Sequence, residues 1–566
     1  MICLVKRCLL ILWLFSVASI GVAQAAPQEK TSEGQSKETQ AAPKGDFLRQ
    51  MQLKAIETQS ADWIHWGDRS DKFSTWTNHS NRLIPVYAFG MGLDDFADGN
   101  SLFRDKEKLR EVYGYDPENT LSTSAKYFDQ TDIQRLQLAA VAAGKKNVIL
   151  FVCDGMDWQT TQAAAIYKNG KVPYTEGRGS GLSFLDFKAP QQGFGYMVTS
   201  PYTRDAKPDV NSQTLINEGE PAGGYIPELG GKYPWSKPSD PSYLLGKSSS
   251  RGHAFTDSAA SATSMTTGKK TYNSSINIGP EGEQLRPIAH ELQEKGFAVG
   301  VVSSVPFCHA TPAACYAHNV TRNDYQDIAR DMLGLRSVSH KREALSGLDV
   351  VIGCGWGETT DEGEKQGNNF LAGNKFLAET DLEEIDRRNG GDYRVVQRQA
   401  GKEGAQLLKF EASKSNADGN RLFGFFGGPG GHLPYRTADG KYDPTRGIKS
   451  ADVYKPEDIS ENPTLAQMAT AALNVLQSRS QKNGNGKIWL MVESGDIDWA
   501  NHNNNIDDSI GAVLDAAAAF TAITHWVEAK SNWDETVVIL TADHGHMMVL
   551  DKPESLLGAA ADGSTK

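Results

Sequence analysis

Several stretches of this chain are almost continuously apolar over about the length of a β-strand. They are Asn147–Cys153 (NVILFVC), 297–302 (FAVGVV), 350–352 with their neighbours, 488–492 (IWLMV) and Thr536–Thr541 (TVVILT). A strand with one wet face alternates apolar and polar residues. A strand that is apolar throughout is buried on both faces, which is the signature of a largely parallel sheet held between helices. Helical periodicity fills the gaps between these runs. Leu465, Met468, Ala469, Ala472, Leu473 and Leu476 share one face, with Thr464 after Pro463 as the start, and Ile510, Val513, Leu514, Ala517 and Phe520 repeat the pattern. The expected fold is therefore α/β: doubly wound, with a largely parallel central sheet flanked by helices on both faces.

The remainder is read around that core. Lys6 and Arg7 precede an apolar stretch at 9–20, and Ala23-Gln24-Ala25 offers a small-residue cleavage site, so 1–25 reads as a signal peptide. Beyond it no apolar run looks long enough to cross a membrane, and no stable membrane insertion is expected. Residues 26–45 are rich in Lys, Glu, Gln and Ser and read as a disordered linker. Residues 46–143 carry many aromatics, among them Trp63, Trp66 and Trp76, and read as an N-terminal extension wrapping the main domain at 144–566. Two stretches, 201–251 and 358–420, read as surface insertions.

Charge and cysteine usage narrow the function. A formal net charge of −12 argues against a nucleic-acid surface. It does not forbid an anionic substrate, because bound metal ions can reverse the local field. Cys153, Cys308, Cys315 and Cys354 lie in the mature chain, and their three possible pairings are not decided by spacing. There is no Cys-x-x-Cys pair, so a thiolate zinc site is not indicated.

In an open α/β sheet, ligands gather beyond the carboxyl ends of the strands. There the chain places Asp154 after NVILFVC, Glu493 after IWLMV, Asp543 and His544 after TVVILT, and His309-Ala310-Thr311 beyond FAVGVV. One such Asp is commonly a turn or cap residue; four coinciding strand ends are harder to explain that way. Asp498 and His502 stand four apart, on one side of a helical turn, a carboxylate and an imidazole that suit zinc, while Glu493 with a hydroxyl suits magnesium. Ser258 follows Asp257 at the head of an Ala/Ser/Thr-rich run, where a helix N-terminus would stabilise its alkoxide. Gly-x-Ser-x-Gly is absent, so a Ser-His-Asp hydrolase elbow is disfavoured and a metal would have to replace the histidine base.

Taken together, DGM at Asp154, TDSAASAT at 256–263, HATPAA at 309–314, Arg322 in AHNVTR, VESGDIDWANH at 492–502 and TADHGH at 541–546 resemble the alkaline phosphatases in kind and order. GGPGGHLPYR near Gly427 and PTLAQM near Pro463 match more weakly. The resemblance implies Ser258 as a nucleophile that becomes a phosphoserine. It implies Asp154 bridging one zinc and a magnesium, with Asp543 and His544 completing that zinc. Thr311 and Glu493 match magnesium ligands, and Asp498 and His502 match a second zinc. Arg322 matches a bidentate phosphate clamp oriented by Asp257. His546 would stand just behind the ligands. His309 and Trp499 stand where the best-known enterobacterial form has Asp and Lys, and resemble other bacterial members. The implied cofactors are two Zn2+ and one Mg2+ per subunit.

The family also takes a late histidine for the second zinc. None follows His546, and nothing in the spacing of His253 or His432 marks either as a substitute, so the second Zn2+ site is expected to lack a ligand and the chain to be C-terminally incomplete. Phosphate monoesters are the expected substrates, a homodimer the expected assembly, and the periplasm or the medium the expected location. Two other functions compete. One is a phosphate- or metal-binding chain impaired in catalysis. The other is a phosphodiesterase of the same superfamily, against which TDSAASAT and Arg322 speak.

Overall fold

The computed structural model describes residues 47–248, 252–445, 448 and 454–562. The expected signal peptide (1–25) and linker (26–45) lie outside the described residues, as does Arg251.

A ten-stranded sheet forms the centre. In chain order its strands are β1 (Ile84–Phe89), β2 (Phe128–Asp129), β3 (Asn147–Cys153), β4 (Gln192–Val198), β5 (Ala298–Pro306), β6 (Val350–Cys354), β7 (Tyr393–Gln397), β8 (Arg421–Phe425), β9 (Ile488–Ser494) and β10 (Thr536–Thr541). Their spatial order is β7-β8-β6-β5-β9-β3-β10-β1-β4-β2. From β7 to β10 every pair is parallel. The apolar runs read from sequence are the middle of this array, and β3, β5, β6, β9 and β10 are buried at every position. The sheet is thus α/β and mostly parallel, as expected.

Three differences from the sequence reading have physical causes. Residues 46–143, expected to wrap the domain, also send β1 through the sheet, antiparallel to both β10 and β4. Their aromatics, including Phe103, Tyr113 and Tyr127, share a second buried cluster with Tyr225 and Tyr243 from 201–251. The stretch 358–420 is not all insertion: it holds β7 and the helix Gly404–Asp418. β7 is an edge strand, half-buried at three of its five positions, so its sequence YRVVQ lacks the continuous apolar run of an inner strand. The third difference concerns membranes. The helix Ile506–Lys530 is long and apolar enough to cross one by composition, but most of it is buried inside the fold, which accounts for its apolarity.

Four helices position the site. α1 (Ser258–Thr267) begins at an Asp257 cap whose side chain accepts from the Ala260 amide. α2 (Leu465–Lys482) begins with a Thr464/Gln467 capping box, as the Pro463-Thr464 signal predicts. α3 (Asp496–His502) starts directly after β9, and α4 (Ile506–Lys530) follows it. All four cysteines are buried free thiols, so none of the possible disulfides forms among the described residues.

α4 approaches the backbone of residue 436 so closely that a Cβ at Gly511 would lie 1.8 Å from the Arg436 carbonyl oxygen. Gly511→Ala is expected to cost roughly 1–3 kcal/mol, since backbone rather than a flexible side chain must move. Thermal denaturation measures it; an unchanged Tm would contradict this packing.

Candidate functional site

β9, β3 and β10 are neighbours in the sheet, so their carboxyl ends lie side by side. In register, Glu493 pairs with Val152 and Ser494 with Cys153, and Thr541 pairs with Val152. Asp154, Glu493, Asp543 and His544 therefore arrive together, each 3 % exposed or less. His544 Nε2 lies 3.3 Å from Asp154 Oδ1 and 3.3 Å from Asp543 Oδ2. The other Asp543 oxygen is held by the Gly155 and His544 amides, both at 3.0 Å. The Thr311 hydroxyl donates to Asp154 Oδ2 at 3.4 Å, and the Ser303 hydroxyl donates to Glu493 Oε2.

Three carboxylate oxygens remain without a donor although they are fully buried: Asp154 Oδ1, Asp543 Oδ2 and Glu493 Oε1. Such oxygens are costly unless protonated or bound to a cation. Burial, then the charges of Asp543 and Asp498, push the Asp154 carboxyl well above the usual range. Burial pushes Glu493 up to about 7, against the hydrogen bonds of Ser303 and Thr311. The donor set is hard oxygen with one imidazole, which fits divalent cations.

A second group adjoins the first. Asp498 and His502 project from α3, with His502 Nε2 3.5 Å from Asp498 Oδ1. His546 Nε2 is 2.6 Å from the same oxygen. Burial would raise the Asp498 carboxyl, but the surrounding imidazoles, His502 first, outweigh it and hold it well below the usual range. Gly155 makes room here: its φ is +68°, and a Cβ would meet His546 Nε2 at 2.7 Å.

Ser258 is the first residue of α1, and its Oγ lies 3.2 Å from His544 Nε2. Asp257 has two tasks. One oxygen caps α1; the other accepts from Arg322 Nη1 at 3.0 Å and from the Ser274 amide at 3.0 Å. Arg322 is thus tied to the residue before Ser258. His309 and Trp499 stand near each other, ring centroids 6.0 Å apart, and His309 stacks on Tyr325. Burial first, then Arg322, pulls the His309 imidazole down to about 3, so it is neutral near pH 7. His432 packs on Trp499 and His253 on Tyr243. Asp154, Ser258, Thr311, Asp498, His502, Asp543, His544 and His546 are thus drawn into one region, with Arg322 attached through Asp257.

Two residues in the region carry no sequence signal. His79 lies in an irregular segment of the N-terminal extension, 423 positions from His502, yet its Nε2 lies 3.0 Å from His502 Nε2. Its ring stacks on His544 with centroids 3.6 Å apart. No periodicity or spacing marks it. Ser303 likewise escaped notice, being one more buried position of β5.

Comparison with known proteins follows the same lines. A family model described as alkaline phosphatase matches residues 241–561. Alkaline phosphatase of Escherichia coli (strain K12) is 28% identical over 445 residues, covering 70% of this chain and 85% of that one. Alkaline phosphatase H of Pseudomonas aeruginosa is 30% identical over 337 residues, covering 57% and 63%. Alkaline phosphatase 4 of Bacillus subtilis is 27% identical over 307 residues, and this chain spans half of its length.

The raised carboxyls predict how metal-free protein responds to pH. Glu493 binds its proton more tightly folded than unfolded, so its contribution to stability is complete below about 4.5 and is lost as pH rises through about 7. Metal-free protein is expected to melt at a lower temperature at pH 8 than at pH 6. Zinc and magnesium compete with those protons and are expected to reverse the trend. Calorimetry with and without chelator checks both signs.

Proposed function

The chain belongs to the alkaline phosphatase family, and on that premise we propose that it hydrolyses phosphate monoesters through a phosphorylated Ser258. The observation that carries this reading is the set of donorless buried oxygens, Asp154 Oδ1, Asp543 Oδ2 and Glu493 Oε1, beside a hydroxyl at a helix start. Buried anions around a serine are the opposite of what a phosphate needs unless cations stand between them.

The residues divide accordingly. Asp154, Asp543 and His544 would hold one zinc, Asp498 and His502 a second, and Asp154, Thr311 and Glu493 a magnesium. When bound, such ions supply positive charge for an in-line phosphoryl displacement and lower the pKa of a coordinated hydroxyl or water. Ser258 attacks phosphorus and carries the phosphoryl group; the ester oxygen departs as the alcohol. Water then takes the phosphoryl group from Ser258 and inorganic phosphate leaves. Ser258 is the first residue of α1, so the positive end of the helix favours charge that develops on its Oγ. Arg322, held by Asp257, takes two oxygens of the phosphoryl group, a geometry that guanidinium satisfies and ammonium does not. The loose phosphoryl transition state needs charge and alignment more than proton transfer. His546 holds Asp498 in place through its 2.6 Å contact. The signal-peptide reading of residues 1–25 supports an exported location.

Two variants test the reading on an aryl phosphate. Ser258→Ala is expected to lower kcat by at least about 10³-fold while zinc content stays unchanged. Arg322→Ala is expected to raise KM for the ester and to weaken inhibition by inorganic phosphate, each by about tenfold or more. Full activity of Ser258→Ala would sink the phosphoserine route. A preference for a bis-aryl diester would move the chain to phosphodiesterase chemistry.

A further inference from the structure

The imidazoles of His79 and His502 face each other through ring nitrogens that only a proton or a cation can bridge. His79 Nδ1 lies 2.9 Å from the Thr256 carbonyl oxygen, and His502 Nδ1 lies 2.7 Å from the Thr77 carbonyl oxygen. A carbonyl oxygen only accepts, so both Nδ1 atoms carry hydrogen and donate. With both Nδ1–H groups donating, each ring turns its Nε2 atom to the other, and unless a proton or a cation lies between them both lone pairs are bare. Those two lone pairs face each other at 3.0 Å. Two acceptors at that distance repel, and neither can donate to the other.

A third donor atom meets them at the same place. Asp498 Oδ1 lies 3.6 Å from His79 Nε2 and 3.5 Å from His502 Nε2. The three atoms thus form a triangle with edges of 3.0, 3.5 and 3.6 Å. Zinc bonds of about 2.0–2.2 Å in a tetrahedral site set ligands about 3.3 Å apart, which this triangle approaches on every edge. Sharing one proton between the imidazoles would relieve their repulsion, but it would not call for a carboxylate at equal distance from both. The backing is that of metal-bound histidine: each Nδ1–H is fixed by a backbone carbonyl, which sets tautomer and ring plane. Asp498 in turn is held by His546.

The geometry points to His79 as the third protein ligand of the second zinc, with Asp498 and His502. This inference rests on the two-zinc reading above. Two imidazoles and one carboxylate would then hold the ion, the three-ligand protein set of catalytic rather than structural zinc. His79 comes from the N-terminal extension, which would thereby complete the metal centre besides lending β1 to the sheet. Thr256, whose carbonyl orients His79, is two residues before Ser258, so the ligand and the nucleophile are set by one short segment.

The test is metal content, read independently of turnover. Full-length protein is stripped with chelator, reloaded with zinc, desalted and measured for zinc per chain. The wild type is expected to hold two, and His79→Phe, which keeps an aromatic ring against His544, to hold one. Affinity at the lost site should fall by more than about 100-fold, above the usual effect of removing a group that merely orients a ligand. His79→Glu, which restores a ligand atom of similar reach, should regain a weaker second zinc. Cobalt loading adds a spectroscopic check: the visible absorption that appears with the second equivalent should vanish in His79→Phe and return in part in His79→Glu. Equal melting of the metal-free forms excludes misfolding as the cause, and His79→Gln takes the place of His79→Phe if that variant melts early. Two zincs bound with unchanged affinity by both His79→Phe and His79→Gln would overturn the assignment and leave the phosphatase reading standing. A wild type that holds no zinc would overturn both.

Discussion

The structure is organised around a concentration of buried carboxylate. Asp154, Glu493 and Asp543 are almost without solvent at adjacent strand ends, with Asp498 beside them. Like charges in a low-dielectric interior repel strongly, and each also loses its hydration. Hydrogen bonds offset only part of this, because one oxygen on each of the three strand-end residues meets no donor. The apolar core of the sheet must therefore hold an arrangement that is unfavourable in itself until cations or protons arrive. That is a frequent property of sites built for chemistry rather than for stability.

The sheet explains how the charges meet. β9, β3 and β10 are parallel neighbours, so their ends stop at one edge about 4.8 Å apart, close enough for side chains of successive strands to share an ion. Parallel strands also require crossover helices, and those helices bring the remaining parts: α3 carries Asp498 and His502, and α1 carries Ser258 at its positive end. Asp257 joins Ser258 and Arg322 by capping α1 and holding the guanidinium at once. A change at Asp257 would therefore disturb the start of α1 and the placing of Arg322 together.

Much of this was legible in the residues. Continuous apolar runs mark strands buried on both faces, and the acid or imidazole after each run marks a strand end. Asp498 and His502 share a helical face by their spacing alone. Where the sequence misled, the cause was position in the fold. β7 has a mixed composition because an edge strand meets solvent, and so 358–420 read as insertion. The apolar length of α4 reflects burial among other elements, and a run of residues does not reveal what surrounds it. The four cysteines could not be paired from spacing; in the fold they stand as separate, buried thiols.

His79 marks the limit most clearly. Ser258, Asp154 and the other residues expected at the site sit in motifs whose local order is their signal. His79 sits between Asn78 and Ser80 in an irregular segment and reaches His502 only because the chain returns on itself across 423 positions. By itself the sequence determined the sheet, the helices that alternate with it, and the acid, imidazole and hydroxyl groups at their ends, because those depend on periodicity and on neighbours along the chain. Only the tertiary structure decided which oxygens are left without donors and which imidazoles face each other, because both depend on distances between segments that no local pattern encodes.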